Sequence, residues 1–463
     1  MDISRRDLLK AGLTVAAGGL LMPRVAGALS RPLGPTSLFE TSRASRLSPG
    51  TLLAHGDLHN HSLHSDGDGD PTLAFASMSS AGLDVAALTD HSTLSWGLAQ
   101  SACAGNKDCQ SVAGIDDASW AAQQLLADGA NVDEEFIAMR GFEWSSPTIG
   151  HMNVWFSERW IDPLHTGGGG TGEGAAQFAH EEGNFPIEQM AALDAIVRAA
   201  PTTGAGMALF YEWLTADPSR PVYGGGADGL AGFNHPGREP GRFSHFRNLG
   251  LGPSIRDRVV SLEIFNRRED YIFEGTGSVA QSPLNECLNA GWRVGLAGVT
   301  DEHGTDWGHP EGKGRTGLWV TDLTRAGVRE AMAARRFFAT NQRGLRVDAT
   351  ANGVRMGTPQ DHPSGPMTFA LDIDRGAEWV GKELMVQVLR SGERLPAVQE
   401  NRIVVVPSSE QSVITFTTDI DRADGDWVVL RITDPAGQPD GRADATWASF
   451  GPAVAYASPF YLA

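Results

Sequence analysis

Short apolar runs that end in polar side chains recur through the first two thirds of this chain and limit its fold more than any other feature. Six such runs are present, at residues 52–55, 85–88, 136–139, 230–233, 259–265 and 293–299. Helix-like segments lie between several of them, at residues 71–82, 119–129, 187–200 and 325–335. Strands that alternate with helices are typical of a parallel α/β sheet or barrel, in which active-site residues gather at the carboxyl ends of the strands. The pattern predicts an α/β domain with a polar site at those ends.

The motif His59-Asn60-His61 follows the first run and carries the strongest chemical signal. On a strand these two histidines point to the same face, because side chains alternate with a period of two, so both imidazoles can bind one cation. Asp66 lies at a Ser-Asp-Gly turn, where the chain can fold back and offer a carboxylate to an adjacent ion. His64 has a spacing that also permits ligation, but we place it beside the ligands or at the surface.

Similar metal-competent side chains follow the other runs. Each of them alone could be a buried polar side chain with its hydrogen bonds made inside the core. Six motifs with the same type of chemistry indicate a shared site instead. Mixed nitrogen and carboxylate ligation suits zinc, manganese or iron, and a carboxylate such as Glu143 can bridge two ions. The predicted ligands are His59, His61, Asp66, His91, Glu143, His151, His235, Asp301 and His303.

Two later regions differ from this pattern. Residues 157–230 contain a glycine-rich tract at 167–172 that lacks the Gly-Lys-Ser/Thr ending of a phosphate-binding loop, so we interpret the region as an insertion that serves as a lid or spacer. Beyond about residue 341, short alternating strands separated by turn residues predict a small all-β sandwich. Seven strands are expected there, at residues 345–351, 367–373, 383–389, 403–406, 413–417, 427–432 and 454–461.

The first 28 residues have the features of an export signal. The sequence Ser-Arg-Arg-Asp-Leu-Leu-Lys at residues 4–10 resembles the twin-arginine motif, and small residues at 26–28 suit a signal peptidase. The alternative is a membrane anchor, but the apolar run at 11–22 is shorter than the roughly 20 residues needed to span a bilayer. We therefore expect export by the twin-arginine machinery to the periplasm or the medium, without stable membrane insertion. Residues 29–51 then form an extended segment that leads into the first domain.

The charge balance argues against nucleic acid as a partner. Asp and Glu number 56 against 37 Lys and Arg, so the net charge is -19 and a polyanion meets overall repulsion. A small phosphate ester is still allowed, because bound divalent cations reverse the local potential. Among three cysteines, Cys103 and Cys109 could close a small disulfide in an oxidising compartment, and Cys287 is expected to be a buried apolar side chain.

Together the metal-competent motifs of residues 52–345 resemble those of the PHP (polymerase and histidinol phosphatase) superfamily. This resemblance implies a distorted (β/α)7 barrel at residues 52–341 that binds two or three divalent metal ions through the nine residues named above, followed by the β-sandwich domain at 342–463. The sequence Gly-Phe-Glu-Trp-Ser around Glu143 and the stretch at 331–340 are similar to a branch that includes carbaryl hydrolase, close to the DUF3604 family.

The resemblance implies a metal-dependent hydrolase in which a metal-bridged hydroxide near Glu143 attacks a small-molecule ester, with Asp301 and His303 also catalytic. The wider superfamily mostly cleaves phosphoesters, whereas the branch cleaves aryl carbamates. A nuclease is disfavoured by charge and export, and a non-catalytic metal-dependent binding protein is the alternative of another class. Side chains that could contact the substrate or orient the ligands are Arg267, Arg268, Trp144, Trp96 and Glu263.

Overall fold

The computed structural model describes most of the chain from residue 43 onward. The described residues are 43–92, 114–146, 150–161, 205–215, 228–238, 242–247, 254–272, 281–309, 313–408, 411, 413–437 and 450–463. Several predictions lie outside them: the export signal, the helix at 187–200, the glycine-rich tract, Trp96 and the Cys103–Cys109 pair. Among the described residues, no helix is long and apolar enough to cross a membrane.

The N-terminal strands form a mixed sheet that is largely parallel. They are β1 (Leu52–Asp57), β2 (Val85–Leu88), β3 (Ile137–Ser146), β4 (Gly150–Trp155), β5 (Leu230–Phe233), β6 (Val259–Asn266), β7 (Glu269–Asp270) and β8 (Gly295–Val299). The neighbours β1, β2 and β3 are parallel, as are β5, β6 and β8, whereas β4 runs antiparallel between β3 and β5. The sequence analysis predicted the parallel strands but missed β4.

The residues that follow β1 also meet those that follow β8. Asn60 and Glu302 form a parallel bridge, and the Asp301 amide donates to the His59 carbonyl at 3.0 Å. Asp57 strengthens this junction, because its carboxylate accepts from the Thr300 amide at 3.1 Å and from its hydroxyl at 2.5 Å. Backbone hydrogen bonds thus join the residues that follow β8 to those that follow β1, so that the polar motifs after these two strands lie side by side. The (β/α)7 barrel stays a prediction.

Four of the seven described helices begin at a side chain that caps the helix N-terminus. The seven helices are α1 (Pro71–Ser80), α2 (Asp117–Ala130), α3 (Ala205–Thr215), α4 (Arg242–His245), α5 (Ile255–Arg258), α6 (Pro283–Asn289) and α7 (Arg325–Ala333). The Asp70 carboxylate accepts from the Thr72 amide ahead of α1, and Asp116 and Ser119 form a reciprocal capping box at α2. Both helices, together with α7, were predicted within a few residues of their observed bounds.

Buried apolar faces hold these helices against the sheet. Ala74 and Met78 of α1 and Ala127 of α2 pack against Ala86 and Leu88 of β2, and all of these residues are fully buried. Every residue of β2 is buried, as expected for a parallel strand that is covered on both faces. The apolar strands therefore form the core, which leaves their polar ends to line the site.

The C-terminal strands lie in two sheets. They are β9 (Arg315–Val320), β10 (Phe337–Thr340), β11 (Arg346–Ala351), β12 (Val354–Arg355), β13 (Pro359–Gln360), β14 (Gly365–Asp374), β15 (Glu383–Arg390), β16 (Ala397–Val405), β17 (Val413–Ile420), β18 (Trp427–Thr433), β19 (Ala453–Ala457) and β20 (Phe460–Leu462). One sheet contains β12, β11, β14 and β17, while β10, β19 and β18 continue the N-terminal sheet through β9, which pairs antiparallel with β1. The sequence analysis missed β9 and β10 and joined β19 and β20 into one strand. The sandwich and its boundary at residue 342 stay predictions.

Candidate metal centre

The structure brings all nine predicted ligand side chains together at the strand ends. They form four overlapping groups whose ligand atoms lie within 4.8 Å of one another in each group. The groups are His61–Asp66–His91–His303, His59–His61–Asp301, His59–Glu143–His235 and His91–Glu143–His151. Carboxylates and imidazoles clustered in this way suggest divalent metal ions. His64 is partly buried and belongs to none of the four groups.

The distances between ligand atoms fit a coordinated cation. The Nε2 atoms of His59 and His61 lie 3.0 Å apart, and Asp301 Oδ1 lies 3.5 Å and 3.3 Å from them. Ligand atoms about 2.1 Å from a four- to six-coordinate ion are separated by about 3.0–3.4 Å along the edges of the coordination polyhedron. The observed spacing therefore matches atoms that share one ion.

Glu143 links the groups in the manner of a bridging carboxylate. Its Oε1 lies 3.4 Å from His59 Nε2, 3.3 Å from His151 Nδ1 and 3.1 Å from His235 Nε2. Its Oε2 lies 2.7 Å from His91 Nδ1 and also approaches His61. Because both oxygens face different sets of histidines, this carboxylate can contact more than one ion.

A second carboxylate, Asp66, closes the outer group. Its Oδ2 lies 3.5 Å from His91 Nε2 and 3.3 Å from His303 Nε2. The turn that carries it packs tightly, since a Cβ on Gly67 would lie 2.6 Å from the Ser62 amide nitrogen and 2.7 Å from the His61 carbonyl carbon. Only glycine allows that close approach, which explains the Ser-Asp-Gly sequence.

Electrostatics keep the three carboxylates ionised and leave His61 neutral, whereas neighbouring carboxylates outweigh burial and raise the pKa values of His59 and His91. Burial alone would raise the pKa of Glu143, but His91, His59 and His151 hold its pKa well below the usual value. Burial would likewise raise the pKa of Asp301, but the neighbouring histidines, led by His59, hold it well below the usual value. Burial, reinforced by His303 and His91, lowers the pKa of His61 to about 4, so its imidazole is neutral at pH 7. A neutral imidazole beside carboxylates is the form that ligates a metal.

Glu263 contacts two of the candidate ligands, in keeping with the orienting role that the sequence analysis considered for it. Its buried Oε1 lies 2.7 Å from His59 Nδ1, and its Oε2 accepts from the His235 amide at 2.7 Å and from Asn266 Nδ2 at 2.8 Å. A proton on Nδ1 directs the lone pair of His59 Nε2 toward the cluster. Asn234 also supports the site, because its amide donates to Glu143 Oε1 at 2.7 Å.

Asp90 is a supporting residue to which the sequence analysis assigned no role. It is fully buried and accepts from the Ser62 amide at 2.7 Å, the Ser65 hydroxyl at 2.8 Å and Gln123 Nε2 at 2.6 Å. These bonds fix the loop between His61 and Asp66. A buried acid next to a strand-end histidine was the only available signal.

The three predicted substrate contacts lie in different surroundings. Arg267 is half-exposed, and its Nη2 atom lies 3.1 Å from His303 Nδ1 and 3.3 Å from Asp301 Oδ2. Arg268 is exposed beside it. Trp144 corrects the prediction: it is buried and stacks on Phe210 at 4.4 Å between ring centroids. Alternation along β3 directs Trp144 away from the cluster that Glu143 faces.

Arg238 was missed entirely. It lies three residues beyond His235, and its Nη1 atom donates to Asp301 Oδ2 at 3.0 Å. The guanidinium also contacts Glu269 and Asn266, which belong to the β6–β7 hairpin. No spacing rule predicts such a contact, because the partners are far apart in the sequence.

Comparisons with known proteins give only distant likenesses. No family model matches the chain, and no curated protein matches it. A solved two-domain protein from Bacteroides vulgatus, described as containing a predicted PHP-like metal-dependent phosphoesterase, is similar over 91% of this chain and 99% of its own, at 13% identity and a TM-score of 0.39. A protein from Bifidobacterium adolescentis, inferred to be a metal-dependent phosphoesterase, is similar over 54% of this chain and 88% of its own, at 13% identity and a TM-score of 0.25. An amidohydrolase from Chromobacterium violaceum is similar over 55% and 90%, at 18% identity and a TM-score of 0.25. Values this low identify no family for the chain.

Proposed function

We propose that this chain is a metal-dependent hydrolase that cleaves an ester bond of a small molecule. One observation carries the proposal: both oxygens of the buried Glu143 carboxylate lie among histidines from separate segments of the chain, and Glu143 belongs to two of the four overlapping ligand groups. Bound divalent cations would make a water nucleophilic at neutral pH and polarise the ester oxygen. We propose two or three ions, of zinc, manganese or iron, because the donors are mixed nitrogen and oxygen atoms.

The exposure of the ligands indicates where a substrate would enter. The side chains of His59 and His61 are fully buried, whereas those of Asp66 and His303 are 26% and 29% exposed. Arg267 lies on the same open side and is 45% exposed. The closed side therefore holds the ligands in place, and the open side receives the ester.

Arg267 favours an anionic substrate. Its guanidinium lies against His303 and Asp301, so part of its charge is balanced, yet its exposed portion can still donate to a phosphoryl oxygen. The alternative, an aryl carbamate of the carbaryl-hydrolase type, requires an apolar pocket, and Trp144 is packed in the core instead. A phosphoester is thus our first choice of substrate, and the carbamate is the second.

Other features of the proposal come from the sequence. They include export by the twin-arginine route to the periplasm or medium, a (β/α)7 barrel followed by a β-sandwich, and membership of the carbaryl-hydrolase-like branch of the PHP superfamily. Folded export suits an enzyme that has to acquire its metal before it leaves the cell. Expression with a reporter fused to residues 1–28, compared with Arg5→Lys and Arg6→Lys together, tests the export route.

The enzymatic proposal is tested by metal analysis and a substrate screen. Purified protein loaded with zinc or manganese is assayed against aryl phosphates, phosphodiesters, aryl esters and carbamates. Glu143→Gln should lower both metal content and turnover, the latter by more than about 100-fold. The control is Glu286→Gln, which alters a carboxylate on α6 that pairs with the exposed His245. It should change neither metal content nor turnover.

The pattern of activity separates the alternatives. Cleavage of monoesters supports the phosphoesterase, cleavage of carbamates supports the second choice, and cleavage of phosphodiesters alone favours a nuclease-like reaction. Inactivity towards every substrate with full metal loading would overturn the proposal and favour a binding protein.

A further inference from the structure

The hairpin formed by β6 and β7 stands between the metal centre and the C-terminal strands. Asn266 pairs with Glu269 and Phe265 with Asp270, so that Arg267 and Arg268 form a two-residue turn. Arg267 adopts a left-handed backbone conformation, with φ of 54°, which is unfavourable for a residue with a long side chain. Such a turn keeps its shape only where surrounding contacts hold it.

On the side of the metal centre, Arg238 ties the hairpin to Asp301. Its Nη1 donates to Asp301 Oδ2 at 3.0 Å, its Nε to Glu269 Oε2 at 2.8 Å, and its Nη2 to Asn266 Oδ1 at 3.0 Å. One planar guanidinium therefore contacts both strands of the hairpin and a candidate ligand. Because Asp301 is itself in a left-handed conformation, with φ of 48°, its orientation depends on contacts of this kind.

On the opposite side, buried polar groups of the C-terminal strands hold Asp270. The Tyr456 hydroxyl lies 2.8 Å from both Asp270 carboxylate oxygens and accepts from Arg431 Nε at 2.8 Å. Arg431 also donates to Gln387 Oε1 at 2.6 Å, and the Tyr456 ring packs edge-on against Phe265. Tyr456 and Arg431 are at most 1% exposed, and buried hydrogen bonds of this type are directional and rigid.

We propose that Tyr456 and Arg431 position Asp301 in the metal centre, through Asp270, Glu269 and Arg238. Asp270 and Glu269 are adjacent on a two-residue strand, so a shift of one carboxylate moves the other. The C-terminal strands then have a defined role: they hold the hairpin that orients a ligand on the open side of the site. The inference rests on the proposed metal-dependent function, but the position of the hairpin can be measured without it.

Tyr456→Phe tests the proposal, because it removes the hydroxyl and keeps the ring that packs on Phe265. Tyr461→Phe is the matched control, since it removes another buried hydroxyl, which donates to the Val294 carbonyl instead of to a hairpin residue. Two quantities are measured in the full-length protein: zinc affinity, by competition with a chelator, and hydrogen exchange of the Tyr271 amide, which donates to the Ile264 carbonyl across the hairpin.

We expect Tyr456→Phe to weaken zinc binding about threefold to tenfold and to speed exchange of the hairpin amides. Tyr461→Phe should leave both within about twofold of the wild type. Arg238→Gln should weaken zinc binding about tenfold or more, and combining it with Tyr456→Phe should add little, because both changes release the same ligand. Where an ester is turned over, kcat should fall by the same factors with KM nearly unchanged.

The outcomes distinguish this inference from the proposed function. Unchanged hairpin exchange and zinc affinity in Tyr456→Phe would overturn the positioning role, as would additive effects in the double variant. Faster exchange and weaker zinc binding in a protein that cleaves no ester would support the positioning role and contradict the hydrolase. If Tyr456→Phe does not fold, Asp270→Asn gives a similar comparison, because it keeps the hairpin pairing and weakens the contacts of this side chain with Tyr456 and Arg431.

Discussion

Replacing Glu263 by glutamine converts one buried carboxylate oxygen beside the metal centre into the NH2 of an amide. The change tests which ring nitrogen of His59 carries the proton. The carboxylate is 3% exposed, and its Oε2 accepts from the His235 amide at 2.7 Å and from Asn266 Nδ2 at 2.8 Å. A backbone N–H cannot become an acceptor, so the glutamine keeps its carbonyl oxygen on this side. Its NH2 group then faces His59 Nδ1, which lies 2.7 Å from Oε1 in the native protein.

A donor in this place reverses the tautomer of His59. The native Nδ1–H donates to Glu263 and leaves Nε2 free to share a cation with His61 and Asp301. In the variant Nδ1 has to accept, so the proton moves to Nε2, the atom that would bind metal. The lost bond is charge-assisted and contributes about 1.5–3 kcal/mol, which corresponds to about 10- to 150-fold in metal affinity.

Zinc affinity at pH 7.5, measured by chelator competition, checks this prediction. Asp348→Asn is the control, because it changes another buried carboxylate, on β11 of the C-terminal region. That carboxylate accepts from the Ser45 hydroxyl and from Arg355. The control should lower stability and leave zinc affinity unchanged. If Glu263→Gln binds zinc within about threefold of the wild type, the tautomer argument is wrong.

Three further predictions concern stability. Gly67→Ala should cost about 1–3 kcal/mol by overpacking against Ser62, whereas Gly129→Ala, in open space on α2, should be neutral or gain up to about 1 kcal/mol in urea unfolding. Burial, with Arg315 and Arg43 nearby, lowers the pKa of His55 to about 3; the unfolded chain therefore takes up the proton first as pH falls below about 6.5. The stability advantage of the wild type over His55→Gln should shrink by about 2.5 kcal/mol between pH 7 and pH 4.5. Zinc at 100 times its dissociation constant should stabilise metal-free protein by about 2.7 kcal/mol per site, seen as a rise in Tm.

Each of these has an outcome that contradicts it. Equal stability of Gly67→Ala and Gly129→Ala would show that the turn at Gly67 is looser than described. A constant difference between the wild type and His55→Gln across the pH range would mean that His55 is not held neutral. An unchanged Tm after zinc addition, with EDTA-treated protein as the reference, would remove the case for a metal centre.

The clustering of polar side chains at the ends of the parallel strands could be predicted from two simple regularities of α/β folds. His59 and His61 fall on one face by alternation, and strand ends in α/β folds meet at one edge, so residues as distant as His91 and Asp301 could be placed together. The same alternation could have corrected the interpretation of Trp144: with Glu143 facing the cluster, its neighbour has to face the core.

The supporting residues could not be predicted in the same way. Arg238 contacts Asp301 across 63 residues and Asp90 contacts Ser62 across 28, and neither distance follows from a local pattern. The left-handed conformations of Arg267 and Asp301 are imposed by tertiary contacts against the preference of the residue. The strands β9 and β10 were missed because neither run ends in the polar motif that marked the others.

The junction between Asp57 and Thr300 determines when the metal centre can assemble. Its partners are separated by 243 residues, which take roughly 12–50 s to synthesise at typical rates of translation. During that interval His59 and His61 have left the ribosome without the strand that places Asp301 and His303 beside them. Contacts of such long range also form slowly once the chain is complete. Metal that binds a nascent chain therefore meets an incomplete set of ligands, and stable loading belongs to the last stage of folding.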